Sequence, residues 1–183
     1  SVGLAPDGAL AADVLRTLDK YDKLGWDGVR DLLTGGRKDA SGAYTAGRGL
    51  GPEGGAALQR YFETRRDSRR ETLDGLAAVI GDSKTGAAGV AELREIADYL
   101  DVLELGEDRV TFDPTIVRGL AYYTGPVFEA VLTRETVDET GARREFGTVM
   151  SGGRYDDRIK RFTGQEVPAT GCSMGVDRMI AAL

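Results

Sequence analysis

The chain contains no histidine and a single cysteine, Cys172. The first absence removes Ser-His-Asp and Cys-His catalysis, and every histidine-ligated metal centre, from what these residues can do. The second removes an internal disulfide and any cysteine-rich zinc site. No apolar run approaches the length that spans a bilayer. The first residues carry neither the basic region nor the apolar stretch of a secretory signal. A cytoplasmic location without a membrane partner is therefore expected. Chemistry here has to rest on arginine, lysine, carboxylates, tyrosines, hydroxyls or backbone amides.

The residues that are present fit a soluble globular protein. The chain has 183 residues, enough for one domain or a core with a small subdomain. Its net charge of −6 argues against nucleic-acid binding over the whole surface. The charge is uneven, however. Nine basic and five acidic residues lie between Arg30 and Arg70, a local +4 that leaves −10 elsewhere. Arg65, Arg66, Arg69 and Arg70 are the densest part of that stretch. A charge run of this kind is first of all a solvated helix face.

Apolar spacing predicts helices over the first hundred residues. Asp7 or Gly8 caps a helix through about Lys23, with Leu10, Val14, Leu18 and Tyr21 at helical spacing. Trp26, Val29, Leu32 and Leu33 predict a short second helix that stops at Gly35-Gly36. Gly35 to Gly55 reads as a long glycine-rich loop. Pro52 suits a helix first turn, with Ala57, Leu58, Tyr61 and Phe62 on the apolar side. Further helices are expected over Arg70–Ile80 and Gly86–Leu100.

Composition turns β-like near Leu105. Val110 to Phe112 reads as a strand, and Val127–Thr133 and Arg143–Met150 as two strands joined through Asp138-Glu139-Thr140-Gly141. Gly152-Gly153 is expected to end the second of these. A short helix over Tyr155–Phe162, a small-residue strand over Gly171–Gly175 and a helix from Val176 complete the chain. The expected fold is α+β: a helical region over 1–105, then part of an antiparallel sheet with flanking helices over 106–183.

Three glycine-marked segments in the β half carry the chemistry. In Arg118-Gly119-Leu120-Ala121-Tyr122-Tyr123-Thr124-Gly125, an arginine fork for phosphate or carboxylate stands near two flat rings. Ser151-Gly152-Gly153-Arg154-Tyr155-Asp156 follows at a strand end. Gly171 to Arg178 leads a small-residue strand into a helix bearing an arginine. Taken singly, each has a plain structural reading as a turn, a surface arginine or core packing. Neither a phosphate loop ending in Lys-Ser/Thr nor a dinucleotide fingerprint is present.

Taken in order, RGLAYYTGPVFE, SGGRYDD and VPATGCSMGVDRM closely resemble the class II histidyl-tRNA synthetases. LRTLDKYDKLGWDGVRDLL resembles the helical stretch inserted in that family before its histidine loop. The resemblance implies part of a class II synthetase sheet with a helical insertion, and a histidine–tRNA ligase as the enzyme. By it, Arg118 is the catalytic arginine that meets the ATP α-phosphate while the histidine carboxylate attacks. Tyr122 and Tyr123 line the imidazole pocket, and Gly152, Gly153 and Tyr155 lie on its floor. Gly171, Ser173 and Gly175 give adenosine room, and Arg178 meets the γ-phosphate and adenine side. The Gly35–Gly55 segment and Arg65, Arg66, Arg69 and Arg70 face the tRNA acceptor stem. Partners follow as histidine, ATP and tRNA(His). The resemblance also implies a homodimer for the full-length enzyme. It gives no protein metal site here, with Mg2+ held by ATP and residues outside these 183.

The chain departs from the family at Ala121, where an acidic residue is common. It also lacks the first and second class motifs and the anticodon-binding domain. It therefore reads as a piece of a longer enzyme, and the isolated piece is expected not to aminoacylate. The alternative reading is a synthetase-like regulatory subunit of ATP phosphoribosyltransferase, which binds histidine without aminoacylation. A third is a folded RNA-binding module.

Overall fold

The computed structural model describes residues 8–117, 123–133, 136–137, 143–144 and 146–182, with 136–137 and 143–144 as backbone only. The chain divides into two compact units, Ser1–Leu120 and Ala121–Leu183.

The first unit is helical. Helix α1 spans Ala9–Leu18 and α2 spans Tyr21–Leu33. The single helix expected to run through Lys23 thus breaks at Asp19-Lys20. Gly25 interrupts α2 with φ +63° and ψ −178°, a conformation open to glycine and strained for other residues. This break lets Tyr21, Leu24 and Trp26 turn toward one apolar cluster of Val14, Leu18, Val29, Leu33, Leu50 and Phe62. Phe62 sits edge-on to Tyr21 and Trp26, with ring centroids at 4.9 and 5.8 Å. Aromatic quadrupoles favour such edge contacts.

The glycine-rich stretch is not a plain loop. Strands β1 (Gly36–Lys38) and β2 (Tyr44–Ala46) pair antiparallel. Asp39 closes their turn by accepting from the Ser41 amide and hydroxyl and from the Ala43 amide. The base of the hairpin is tied to α2, where the Leu50 amide donates to the Leu33 carbonyl at 2.8 Å.

Helix α3 (Pro52–Phe62) begins at Pro52, as its fixed φ favours. Helix α4 (Arg69–Ile80) is capped by Ser68, and α5 (Lys84–Val102) by Ser83. Leu73, Leu76, Val90 and Ala97 of these two helices form a second apolar cluster. Leu73 is fully buried, and hiding a leucine side chain contributes about 2–3 kcal/mol.

Val110 to Phe112, expected as a strand, are irregular. Their polar backbone has another partner: buried Arg69 donates to the Leu105 and Val110 carbonyls at 3.0 and 2.9 Å. Phe112 joins the second apolar cluster and Val117 the first. The β-like composition begins near residue 105, yet 106–117 pack with the helices.

The second unit holds a three-stranded antiparallel sheet of β3 (Val127–Val131), β6 (Thr148–Arg154) and β7 (Thr170–Met174), with β6 central. Two-residue strands β4 (Thr136–Val137) and β5 (Arg143–Arg144) pair between β3 and β6 in sequence. The expected turn at Asp138–Gly141 lies outside the described residues. Gly152 and Gly153 do not end β6; they sit inside it and pair with both neighbours. Helices α6 (Asp156–Thr163) and α7 (Val176–Ile180) follow β6 and β7.

Candidate active site

Strand register decides which residues share a face, because side chains alternate along a strand and paired residues point the same way. Gly153 pairs with Val127 and Gly171, and Ser151 with Glu129 and Ser173. Two tyrosines cover this face. A Cβ on Gly153 would lie 2.8 Å from the Tyr123 ring and 2.7 Å from the Pro126 carbonyl oxygen. A Cβ on Gly171 would lie 2.5 Å from the Tyr155 hydroxyl. The glycines are thus where the rings come down onto bare backbone. Gly152 belongs to the opposite face, against Phe128 and the Cys172 Cα at 2.6 and 2.8 Å from its absent Cβ.

Backbone bonds hold both tyrosines. The Thr124 amide donates to the Arg154 carbonyl at 2.8 Å, and the Arg154 amide donates to Pro126 at 3.0 Å. The Arg154 guanidinium adds a bond to the Thr124 carbonyl at 3.1 Å and a 3.3 Å ion pair with Asp156. Asp156 accepts from the Ala169 amide, and the Tyr155 amide donates to Ala169. The loop carrying Tyr123, the end of β6 and the start of β7 are therefore one hydrogen-bonded assembly.

Arg178, on α7, is exposed and donates to the Thr148 carbonyl at 2.6 Å. The Thr148 hydroxyl donates to the Glu129 carboxylate at 2.7 Å. Gly175 precedes that helix and donates its amide to the Val149 carbonyl. Of the residues expected in the site, Tyr123, Gly153, Tyr155, Gly171 and Ser173 come together on one face, with Gly175 and Arg178 beyond the end of β7. Arg118 and Tyr122 lie outside the described residues. Glu129 and Ser151 were missed in the sequence. Stepping back two residues at a time from Gly153 along β6, and across the register, finds them.

The four arginines of the basic cluster have separate environments. Arg69 is only 4% exposed and ion-pairs with Asp101 at 2.9 Å, so it is withdrawn from any RNA-facing surface. Arg70 pairs with Asp98 and Asp101, and these two carboxylates hold its guanidinium pKa above the ordinary value. Arg65 pairs with Asp113 at 2.7 Å. Arg66 is exposed and donates to the Glu63 and Arg65 carbonyls. Among the described residues no cluster of acidic or cysteine side chains forms a metal site. No helix among them is long and apolar enough to cross a membrane.

A helical unit and an antiparallel sheet, with rings and hydroxyls over one glycine-opened face, make an α+β protein of the class II synthetase type. The fold matches the crystal structure of histidyl-tRNA synthetase from Nostoc sp. PCC 7120 with a TM-score of 0.75 at 23% identity, covering 98% of this chain and 37% of that one. A crystal structure from Bacillus halodurans C, described as an ATP phosphoribosyltransferase regulatory subunit/histidyl-tRNA synthetase, matches with a TM-score of 0.67 at 24% identity over 94% of this chain and 38% of that one. Residues 25–179 match the family model for histidyl-tRNA synthetase, and the chain belongs to that family. The histidine–tRNA ligase of Paracoccus denitrificans (strain Pd 1222) is 55% identical over the whole chain, and that of Ruegeria sp. (strain TM1040) is 53% identical. The chain spans 37% of the length of each of these two relatives.

Proposed function

We propose that the chain is the histidine-loop and third-motif part of a histidine–tRNA ligase. In the reaction, the carboxylate of histidine attacks the ATP α-phosphorus. An oxygen–phosphorus bond forms and pyrophosphate leaves; a ribose hydroxyl of tRNA(His) then attacks the acyl carbon of histidyl-adenylate, forming the ester and releasing AMP. The observation that carries this reading is the pair of tyrosines, Tyr123 and Tyr155, standing over register partners Gly153 and Gly171. A flat substrate ring and bare backbone suit each other there. Ser151, Ser173 and Glu129 on the same face supply oxygens for imidazole N–H or ammonium groups. A site that pairs those nitrogens rejects substrates that leave its polar groups unpaired.

Arg118, just after Val117, supplies the permanent charge that stabilises the phosphoryl transition state. No protein base is required, because the nucleophile is already a carboxylate. Arg178 exchanges its backbone carbonyl partner for a phosphate oxygen when ATP binds. Mg2+ reaches the site with ATP. Lys38 on the hairpin, Arg48 just after it and Arg66 are exposed basic groups offered to the tRNA backbone. The working enzyme is a cytoplasmic homodimer.

The regulatory-subunit reading predicts histidine binding without pyrophosphate exchange. The ligases that resemble this chain over its whole length favour catalysis. The test is histidine-dependent ATP–pyrophosphate exchange by the full-length gene product containing these residues. Arg118→Ala is expected to lower kcat by about 10²–10³, the scale of losing one transition-state charge partner. Wild-type protein that binds histidine but shows no exchange would overturn the ligase reading.

A further inference from the structure

The segment Leu105–Val117 has neither helix nor strand, yet it is bonded along its length. It starts where Glu104 turns the chain out of α5 with φ +56°, an uncommon conformation for a non-glycine residue. Arg69 then holds the carbonyls of Leu105 and Val110. The Glu107 carboxylate accepts the Arg69 amide at 2.7 Å and so caps the first turn of α4. Phe112 packs into the α4–α5 cluster. Asp113 accepts Arg65 through one oxygen, and the Thr115 amide and hydroxyl through the other at 2.9 and 2.6 Å. Val117 packs against the first apolar cluster. The anchors therefore continue up to the residue that immediately precedes Arg118.

We propose that Arg65 and Arg69 are positioning residues: with Asp113 and Glu107 they strap Leu105–Val117 to the helical unit and so fix the chain up to the residue before Arg118. The catalytic part of this inference rests on the ligase reading. Polar backbone groups need partners; beside turn bonds such as the Val110 amide to the Gly106 carbonyl and the Ile116 amide to the Asp113 carbonyl, this segment takes them from side chains. Here the arginines supply them, which gives the basic cluster work inside the protein. A misplacement of about 1 Å in a reacting group can cost up to about a hundredfold in rate. A strap ending one residue before a catalytic arginine therefore acts on turnover.

Arg65 is the test position because its side chain is 56% exposed, which screens the ion pair and keeps its weight in stability modest. Two measurements are made on full-length protein for Arg65→Ala, Asp113→Ala and Arg65→Lys. In histidine-dependent pyrophosphate exchange, Arg65→Ala and Asp113→Ala should lower kcat about tenfold while KM for ATP and histidine stays within about twofold. Arg65→Lys should recover at least about half of the activity, since an ammonium still reaches Asp113. In amide hydrogen exchange, residues 115–124 should exchange at least about threefold faster in the alanine variants, with α4 and α5 unchanged. Unaltered kcat and unaltered exchange overturn the proposal. So does faster exchange spread evenly through α4 and α5, which marks general loosening. If the wild type shows no pyrophosphate exchange, the ligase reading fails, and the amide-exchange result still decides whether the strap holds the segment.

Discussion

Gly153 shows how one missing atom shapes the candidate site. The Tyr123 ring and the Pro126 carbonyl approach so closely that a methyl group there has to displace one of them. Gly153→Ala is expected to cost about 1–3 kcal/mol, as overpacking does in a tight interior. Urea denaturation measures the loss, and an unchanged midpoint would show that the ring is free to move aside. The importance of this position was legible in the sequence, but its geometry was not. Two adjacent glycines look like a turn, because glycine weakens strands generally. Only the register shows that Gly152 and Gly153 lie mid-strand with opposite faces bare. The arginine cluster misleads in a related way. Arg69 and Arg66 are indistinguishable in a basic run, and only tertiary structure buries one and exposes the other.

At the scale of elements, what could be read depended on where each signal came from. Helix α3 carries a local signal in Pro52, and the apolar spacing of α3, α4 and α5 lies within each segment itself; the Ser68 and Ser83 caps start α4 and α5 one and two residues ahead of the expected Arg70 and Gly86. Strands β1 and β2 have three residues each and no apolar alternation, so nothing marked them among the glycines. Val110–Phe112 has β-forming composition, yet among the described residues no neighbouring strand bonds it; the Arg69 guanidinium holds the Val110 carbonyl instead. Asp101 joins α5 to the start of α4 through the same group. The guanidinium of Arg70, then that of Arg69, holds the Asp101 carboxyl below the ordinary carboxylate range. A depressed value in the folded state contributes stability above the unfolded value of about 3.9. That stability is lost as pH falls through the lower folded value. Asp101→Asn should therefore lower the melting temperature at neutral pH and flatten its fall below about pH 4. Parallel melting curves for both proteins across that range would show that the pair contributes nothing.

For the whole molecule, the division at Leu120/Ala121 falls inside the first family motif: Arg118 to Leu120 belong to the first unit, while the rest of that motif and the other two belong to the second. Membership of the histidyl-tRNA synthetase family was legible in the order of those motifs, which no single glycine or arginine conveys. The central claim is that the glycine-opened face of β6 and β7 binds histidine. The measurement is thermal unfolding of the protein with L-histidine, with and without ATP, for wild type and Tyr155→Ala. A ligand at about one hundred times its Kd adds about 2.7 kcal/mol to the native state, which raises Tm by several degrees. The predicted result is that rise for the wild type and its loss in Tyr155→Ala. An equal rise in both proteins, or none in the wild type at saturating histidine and ATP, would contradict the assignment.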